Sequence, residues 1–253
     1  MNRQLLLLKI EWFKLNRVNT LIWFGLFALL VSLLAYLTGM NTVLITDPFE
    51  KQKALFESFL AVAFGLSDLF MIVMVIILST REYAHNVGRK KLINGYSREE
   101  LFESHILFLM LFSFIVIALL LISWLVFSAL LQQWPINKGM LTLASRLPLL
   151  WPYLFSHGLY ALLIAVLVRK TGIAILLYIA LRIGESILYL ANDFFRQKYE
   201  WPIVADDVLP ATFAKRMVSE TTLFTEWQGL LSFVLINLVL FAVIYLRVKK
   251  SDF

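Results

Sequence analysis

Residues 80–105 read TREYAHNVGRKKLINGYSREELFESH, a charged segment set between two long apolar runs. It holds five of the chain's 23 Lys and Arg, namely Arg81, Arg89, Lys90, Lys91 and Arg98, together with the acids Glu82, Glu99, Glu100 and Glu103. A segment this charged has to lie in water while its flanks lie in lipid, because one ionised side chain at the centre of a spanning helix costs about 2.5–3.5 kcal/mol. Residues 81–94 predict a helix that stops at Gly95, which adopts the left-handed conformation of a helix end without a Cβ clash. Ser97 followed by Glu100 forms a Ser-x-x-Glu capping box, so a second helix starts there and runs into the next apolar stretch. Short helix, tight turn and capped helix together suit a contact surface for a soluble partner. The plainer alternative is an ordinary basic loop obeying the charge rule of membrane proteins.

Working outward, the rest of the chain is dominated by apolar runs. Of its 253 residues, 60% are hydrophobic and 16% charged, a balance that excludes an ordinary soluble domain. Apolar runs at 20–37, 55–79, 106–131, 149–168, 171–190 and 229–248 predict an all-α polytopic membrane protein of six spans, forming one membrane domain over 1–253. Residues 1–17 place Leu5, Leu8, Trp12 and Leu15 on one face, as in an interfacial helix, and no small-residue cleavage site follows, so the helix is expected to be retained. Arg169 and Lys170 separate the fourth and fifth spans so briefly that a tight antiparallel hairpin is expected. Residues 193–227, broken by Pro202 and Pro210, are expected to form an outer helical segment before the last span.

Orientation follows from the basic residues. One side carries four Lys and Arg ahead of the first span, five in the central segment, two between the fourth and fifth spans and three at the end, fourteen in all, against eight on the other side. This excess puts both termini and the central segment in the cytoplasm. Trp134, Trp151, Trp201 and Trp227 then fall at the outer interface.

Several chemistries are excluded. Without cysteine the chain has no disulfide, thiolate metal site or cysteine nucleophile, and His85, His105 and His157 have no metal-ligand spacing. No phosphate-binding loop, His-Glu-x-x-His or Gly-x-Ser-x-Gly element is present, so no catalytic residue, metal or cofactor is assigned to the chain. The basic residues cluster on one side of the spans, which the membrane charge rule explains without nucleic acid. Inside the predicted spans stand three charges: Asp68 in the second, and Arg182 and Glu185 three apart in the fifth, where they share a helix face. They read either as a substrate path or as a structural ion pair. Ser156, His157, Ser186, Ser232 and Asn237 read as interhelical hydrogen-bonding residues.

Glu82, Gly88-Arg89, Leu92, Gly95 and Ser97-Arg98, standing after the second span, resemble the central loop of the six-span permease subunits of ABC exporters, the class that includes drug, lantibiotic-immunity and polysaccharide exporters. An amphipathic first helix, an outer helical segment and a basic tail ending Lys-Lys-Ser-Asp-Phe are similar to the same pattern. The resemblance implies a coupling helix seated on a separate ATPase subunit that holds ATP and magnesium, and a second permease copy in a homodimer or heterodimer. Importer permeases instead carry Glu-Ala-Ala-x-x-x-Gly followed by Ile-x-Leu-Pro; Glu82, Ala84 and Gly88 imitate its first half, but Arg98 replaces the isoleucine and no Leu-Pro follows. The exporter pattern is therefore the better match. The alternatives from other classes are an ion-coupled secondary transporter using Asp68 and Glu185, and a non-transporting membrane scaffold or immunity protein.

The topology is testable because the chain lacks cysteine. Single cysteines introduced at Lys51, Lys138 and Asp206 are expected to react with an impermeant thiol reagent on intact cells, and one at Lys90 only after lysis. Labelling at Lys90 from outside would invert the orientation.

Overall fold

The computed structural model describes residues 18–39, 48–130, 150–199 and 227–250, together with Lys9. Its elements are seven helices: α1 (Val18–Gly39), α2 (Pro48–Ala84), α3 (Val87–Ile93), α4 (Arg98–Leu130), α5 (Leu150–Val168), α6 (Thr171–Tyr199) and α7 (Trp227–Lys250). No strand occurs among the described residues. Hydrocarbon supplies no hydrogen-bond partner to the backbone, so apolar runs of this length settle as helices that satisfy their own N–H and C=O groups. Five helices are long and apolar enough to cross a bilayer: Thr20–Gly39, Ala54–Ala84, Arg98–Phe127, Leu150–Val168 and Thr171–Asn192. The last predicted run lies within α7, which has 24 residues and is about 36 Å long at 1.5 Å per residue. The described residues thus establish a multi-pass membrane protein with five candidate spans. The expected helix at 1–17 and the outer segment at 200–226 lie outside the described residues, although the first part of that segment, up to Tyr199, is a continuation of α6.

Where the sequence suggests one membrane domain, the chain gathers into two compact units, residues 1–70 with 110–151, and residues 71–109 with 152–253. In the first unit aromatic rings fill the interior. Trp124 is buried with its ring centroid 5.3 Å from Phe56, 4.9 Å from Phe59 and 5.5 Å from Phe127. A second cluster joins Phe24 and Phe27 to Phe70, at 5.9 and 4.3 Å, and Phe24 to Phe112 at 5.8 Å. Small hydroxyls let α1 and α4 approach each other: Ser123 donates to the Ala28 carbonyl at 3.1 Å, and Ser32 donates to the same carbonyl at 2.8 Å.

The second unit is also packed tightly in its interior. A Cβ on Gly158 would stand 2.5 Å from Leu109 Cδ1 and 2.9 Å from Met71 Cε, so this position in α5 admits glycine where a side chain would force its neighbours aside. Thr80 and Thr171 join their hydroxyls at 2.7 Å, tying the end of α2 to the start of α6. Large apolar side chains remain on the outside, such as Leu29 in α1 and Leu176 in α6, at 63% and 68% exposure, as expected of surfaces that meet acyl chains.

The Trp124 cluster yields a stability prediction. Trp124→Ala removes a ring with three aromatic neighbours and leaves a cavity, a change that costs about 3–5 kcal/mol in well-packed cores. It should lower the thermal unfolding midpoint of the detergent-solubilised protein clearly, while Leu125→Ala, one residue on and 47% exposed, should leave it nearly unchanged. Equal midpoints for the two variants would contradict the assigned core.

Candidate functional site

The charged segment is built by two backbone breaks and a capped helix start. The helix expected over 81–94 is divided: α2 continues to Ala84, Asn86 then takes a left-handed conformation at φ 51°, and α3 begins at Val87. Asparagine tolerates this region better than most residues, which explains why the break falls there. At its other end α3 closes as a Schellman motif, with the Tyr96 N–H donating to the Lys91 carbonyl at 3.1 Å and the Gly95 N–H to the Leu92 carbonyl at 3.0 Å. Gly95 supplies the required positive φ of 85°. The predicted capping box then starts α4: the Ser97 N–H donates to Glu100 Oε2 at 2.7 Å, and the Glu100 N–H donates to Ser97 Oγ at 3.1 Å.

Side chains fasten this frame from several directions. Lys91 is buried and donates to Ser104 Oγ at 3.1 Å, pinning α3 to α4. His105 bridges two elements, with Nδ1 2.7 Å from the Leu101 carbonyl and Nε2 3.4 Å from Glu82 Oε2. The turn between α5 and α6 adds Arg169, whose guanidinium lies 5.2 Å from the centre of the Tyr83 ring. From α7, Tyr245 donates to Glu99 Oε1 at 3.2 Å, the rings of Phe241 and Tyr245 pack edge-on against Phe102 at 4.7 and 5.3 Å, and the Lys249 carbonyl accepts from Arg98. Three helices, α2, α4 and α7, and the turn between α5 and α6 thereby meet at the segment that holds α3.

The residues singled out in the sequence divide by position. Arg89, Gly95, Ser97 and Arg98 are exposed, Leu92 is half-buried, and Glu82 and Gly88 are buried. Glu82 and Gly88 therefore belong to the support of the segment and not to its outer face. Arg98 is also committed to α7. The residue that sequence reasoning passed over is Ile93, the last residue of α3, which is 76% exposed with Lys90 and Asn94 exposed beside it. Hydropathy alone makes Ile93 look like a core residue; only the turn that ends α3 turns it outward. Lys91, Ser104, His105 and Tyr245 were also outside the predicted set, and nothing in their spacing marks them as partners.

Within the spans, Arg182 Nη1 donates to Glu185 Oε2 at 2.6 Å, so these two charges form the ion pair that their spacing allows. Asp68 is buried and belongs to the first unit, whereas the pair belongs to the second. Two of the isolated polar residues bond within their own helix, contrary to the interhelical role expected of them: Ser186 donates to the Arg182 carbonyl at 3.0 Å and Asn237 to the Phe233 carbonyl at 2.8 Å. Four-residue back-bonding satisfies a polar side chain locally, without a neighbouring helix. His157 is buried against Tyr153, with ring centroids 4.3 Å apart. Ser156 is buried beside it, and Ser232 lies among the side chains outside the description. No cluster of His, Asp and Glu able to hold a metal ion is found among the described residues.

Compared with models of known families and with curated proteins, the chain matches none.

The Arg182–Glu185 pair gives a double-variant test. Breaking a buried pair by removing one partner strands a charge and costs about 3–5 kcal/mol, while removing both is far milder; partial exposure of this pair lowers both figures. Arg182→Met is expected to reduce the folded yield more than the double change with Glu185→Gln, measured as monodisperse protein per cell. A double variant that is no better than the single one would mean that Glu185 is not what neutralises Arg182.

Proposed function

We propose that the chain is the transmembrane permease subunit of an ABC transporter of the six-span exporter class, with α7 as its sixth span and both termini in the cytoplasm of a bacterial inner membrane. A separate ATPase subunit binds ATP and magnesium and docks on the segment around α3; this chain has no phosphate-binding loop and is not an enzyme alone. The observation that carries the reading is the build of α3. A helix of two turns ends in an exposed isoleucine among cations, and its own frame is fastened to every helix end around it.

Such a part suits force transmission. A flexible loop would absorb a push from a soluble subunit, whereas a helix closed at its far end and pinned by a buried lysine passes it on. Lys91–Ser104 delivers displacement of α3 into α4, Glu82–His105 ties the end of α2 to the same helix, and the capping box keeps the first turn of α4 from fraying. Ile93 serves as the apolar anchor for a pocket on the ATPase subunit, with Arg89 and Lys90 supplying charge around it. An apolar anchor within a polar rim is the usual anatomy of a binding hot spot.

A second permease copy completes the assembly. The α6 span is the least covered of the five candidate spans, yet it carries Arg182 and Glu185 at 33% and 19% side-chain exposure. Charges facing acyl chains are costly, so protein or water has to cover them. An arginine and a glutamate one turn apart form a self-complementary patch about a two-fold axis, which favours another copy of the same helix.

The experiment is co-purification with the ATPase subunit, together with the ATPase activity of the reconstituted pair. Ile93→Asp combined with Arg89→Glu is expected to abolish both, and neither residue is needed for folding because both are exposed. Ser97→Ala should act differently: losing the cap costs about 1 kcal/mol of local helix stability, which should lower coupled activity while leaving assembly intact. Normal assembly and activity in the Ile93→Asp, Arg89→Glu variant would overturn the coupling role of α3.

A further inference from the structure

A cavity of about 160 Å³ opens beside α3, lined by Glu82, Tyr83, Asn86, Gly88, Arg89 and Arg169 with Ala84. At roughly 30 Å³ per water molecule it has room for about five waters, enough for a tetrahedral oxyanion and part of its hydration. We infer that this cavity binds a phosphate group, and that its natural occupant is the phosphate of an anionic lipid in the adjoining leaflet. The inference stands on the membrane fold alone and does not depend on an ATPase partner.

The chemistry begins with the two arginines. The guanidinium of Arg169 lies over the Tyr83 ring at 5.2 Å, and a guanidinium placed on an aromatic face can still use its N–H edge. That edge is the fork that meets two oxygens of a phosphate together. Arg89 enters the lining from α3, so the two cations come from elements far apart in sequence and converge on one cavity. Glu82 is the single acid in the lining, and its carboxylate is turned to His105 at 3.4 Å.

The backbone adds a separate indication. Asn86 and Arg169, at φ 51° and 58°, are the non-glycine residues with positive φ in the described chain, and both line this cavity. Conformations of this kind persist where surrounding structure holds them, and they gather at binding sites. Here they aim Arg169 and Asn86 into the same space from two different turns.

Depth selects lipid over other sources of phosphate. The lining residues of α2 are the last of the span Ala54–Ala84, and Arg169 directly follows α5 at its end, Val168. The cavity therefore sits where helices leave the hydrocarbon, at the level of the headgroups. Next to Arg169 in sequence, Leu167 and Ile173 are 46% and 53% exposed, an apolar surface for the acyl chains of a lipid whose phosphate is held above. Basic pockets between helices at this level are a recognised mode of anionic lipid binding.

The test uses the full chain, delipidated in neutral detergent and titrated with phosphatidylglycerol or phosphatidylcholine, with bound lipid counted by native mass spectrometry. Phosphatidylglycerol is expected to bind in preference, and Arg89→Gln and Arg169→Gln should each weaken it by roughly fivefold, the contribution of one surface arginine to an anionic lipid. Lys250→Gln, at the exposed end of α7 and outside the lining, should change nothing. Inorganic phosphate provides the second arm: displacement of phosphatidylglycerol by millimolar phosphate would show that the site takes the free ion equally well, while no displacement assigns it to the lipid. Arg89→Gln keeps the test decisive if Arg169→Gln fails to fold, because Arg89 is exposed. Equal binding of the two lipids with no effect of phosphate, or wild-type retention of phosphatidylglycerol in a folded Arg89→Gln protein, would overturn the proposal. So would a variant that loses only a soluble protein partner and keeps its lipid, which would make the cavity part of a protein interface.

Discussion

Hydrocarbon gives a backbone N–H or C=O nothing to bond with, and this one constraint governs where the described chain departs from a helix. The breaks at Asn86, Gly95 and Arg169 stand in or next to charged sequence, where the chain meets water. Each is closed by its own device. Asn86 accepts the left-handed region, Gly95 ends a Schellman motif, and the Arg169 N–H donates back to the Ala165 carbonyl at 2.9 Å before α6 begins. The polar ends of the spans are thus covered at the boundary, and the apolar lengths between them need no further backbone partners.

What fixes those ends to one another is different in kind. Within the spans, packing of rings and small residues does most of the work, since acyl chains compete with every apolar contact. At the charged end, named polar contacts carry the structure: Lys91 with Ser104, Glu82 with His105, Tyr245 with Glu99. Burial matters for their strength. An exposed ion pair contributes about 0–1 kcal/mol, whereas a buried donor deprived of its acceptor costs about 1–3 kcal/mol. Buried Lys91 therefore holds α3 to α4, and buried His105 holds α2 to α4, more firmly than the exposed arginines, whose charges remain at the surface.

The sequence made most of the helices legible because their signals are one-dimensional. Runs of apolar residues located five candidate spans to within a few residues, except that the helices containing the second and third run on into the charged segment; the sixth run falls within α7. Ser97, Glu100 and Gly95 announced their roles because capping and helix termination are local. The break at Asn86 was not legible, since asparagine marks such positions only weakly. The contacts of His105 and Tyr245 were hidden for a deeper reason. They join residues of helices separated by 23 or more positions, and a charge or ring on a helix does not indicate which neighbour it will meet. Ile93 was hidden by its own hydropathy, and Glu82 by its charge: one reads as core and the other as surface, and the fold reverses both.

The continuity of α4 has a mechanical side. Arg98–Leu130 is a single helix of 33 residues, about 50 Å long, that begins in the charged segment. Its first eight residues, to His105, make an arm of about 12 Å, and the remainder makes an arm of about 37 Å through the apolar layer. Charge keeps the short arm out of hydrocarbon, so any pivot of this helix would fall at the headgroup layer. A stiff rod pivoted there has a displacement ratio of about three: one ångström of sideways travel at the short arm sweeps the far end through about three. The price of that gain is force, which falls in the same ratio, so the long arm suits opening a gap between loosely held surfaces better than prising apart a dense core.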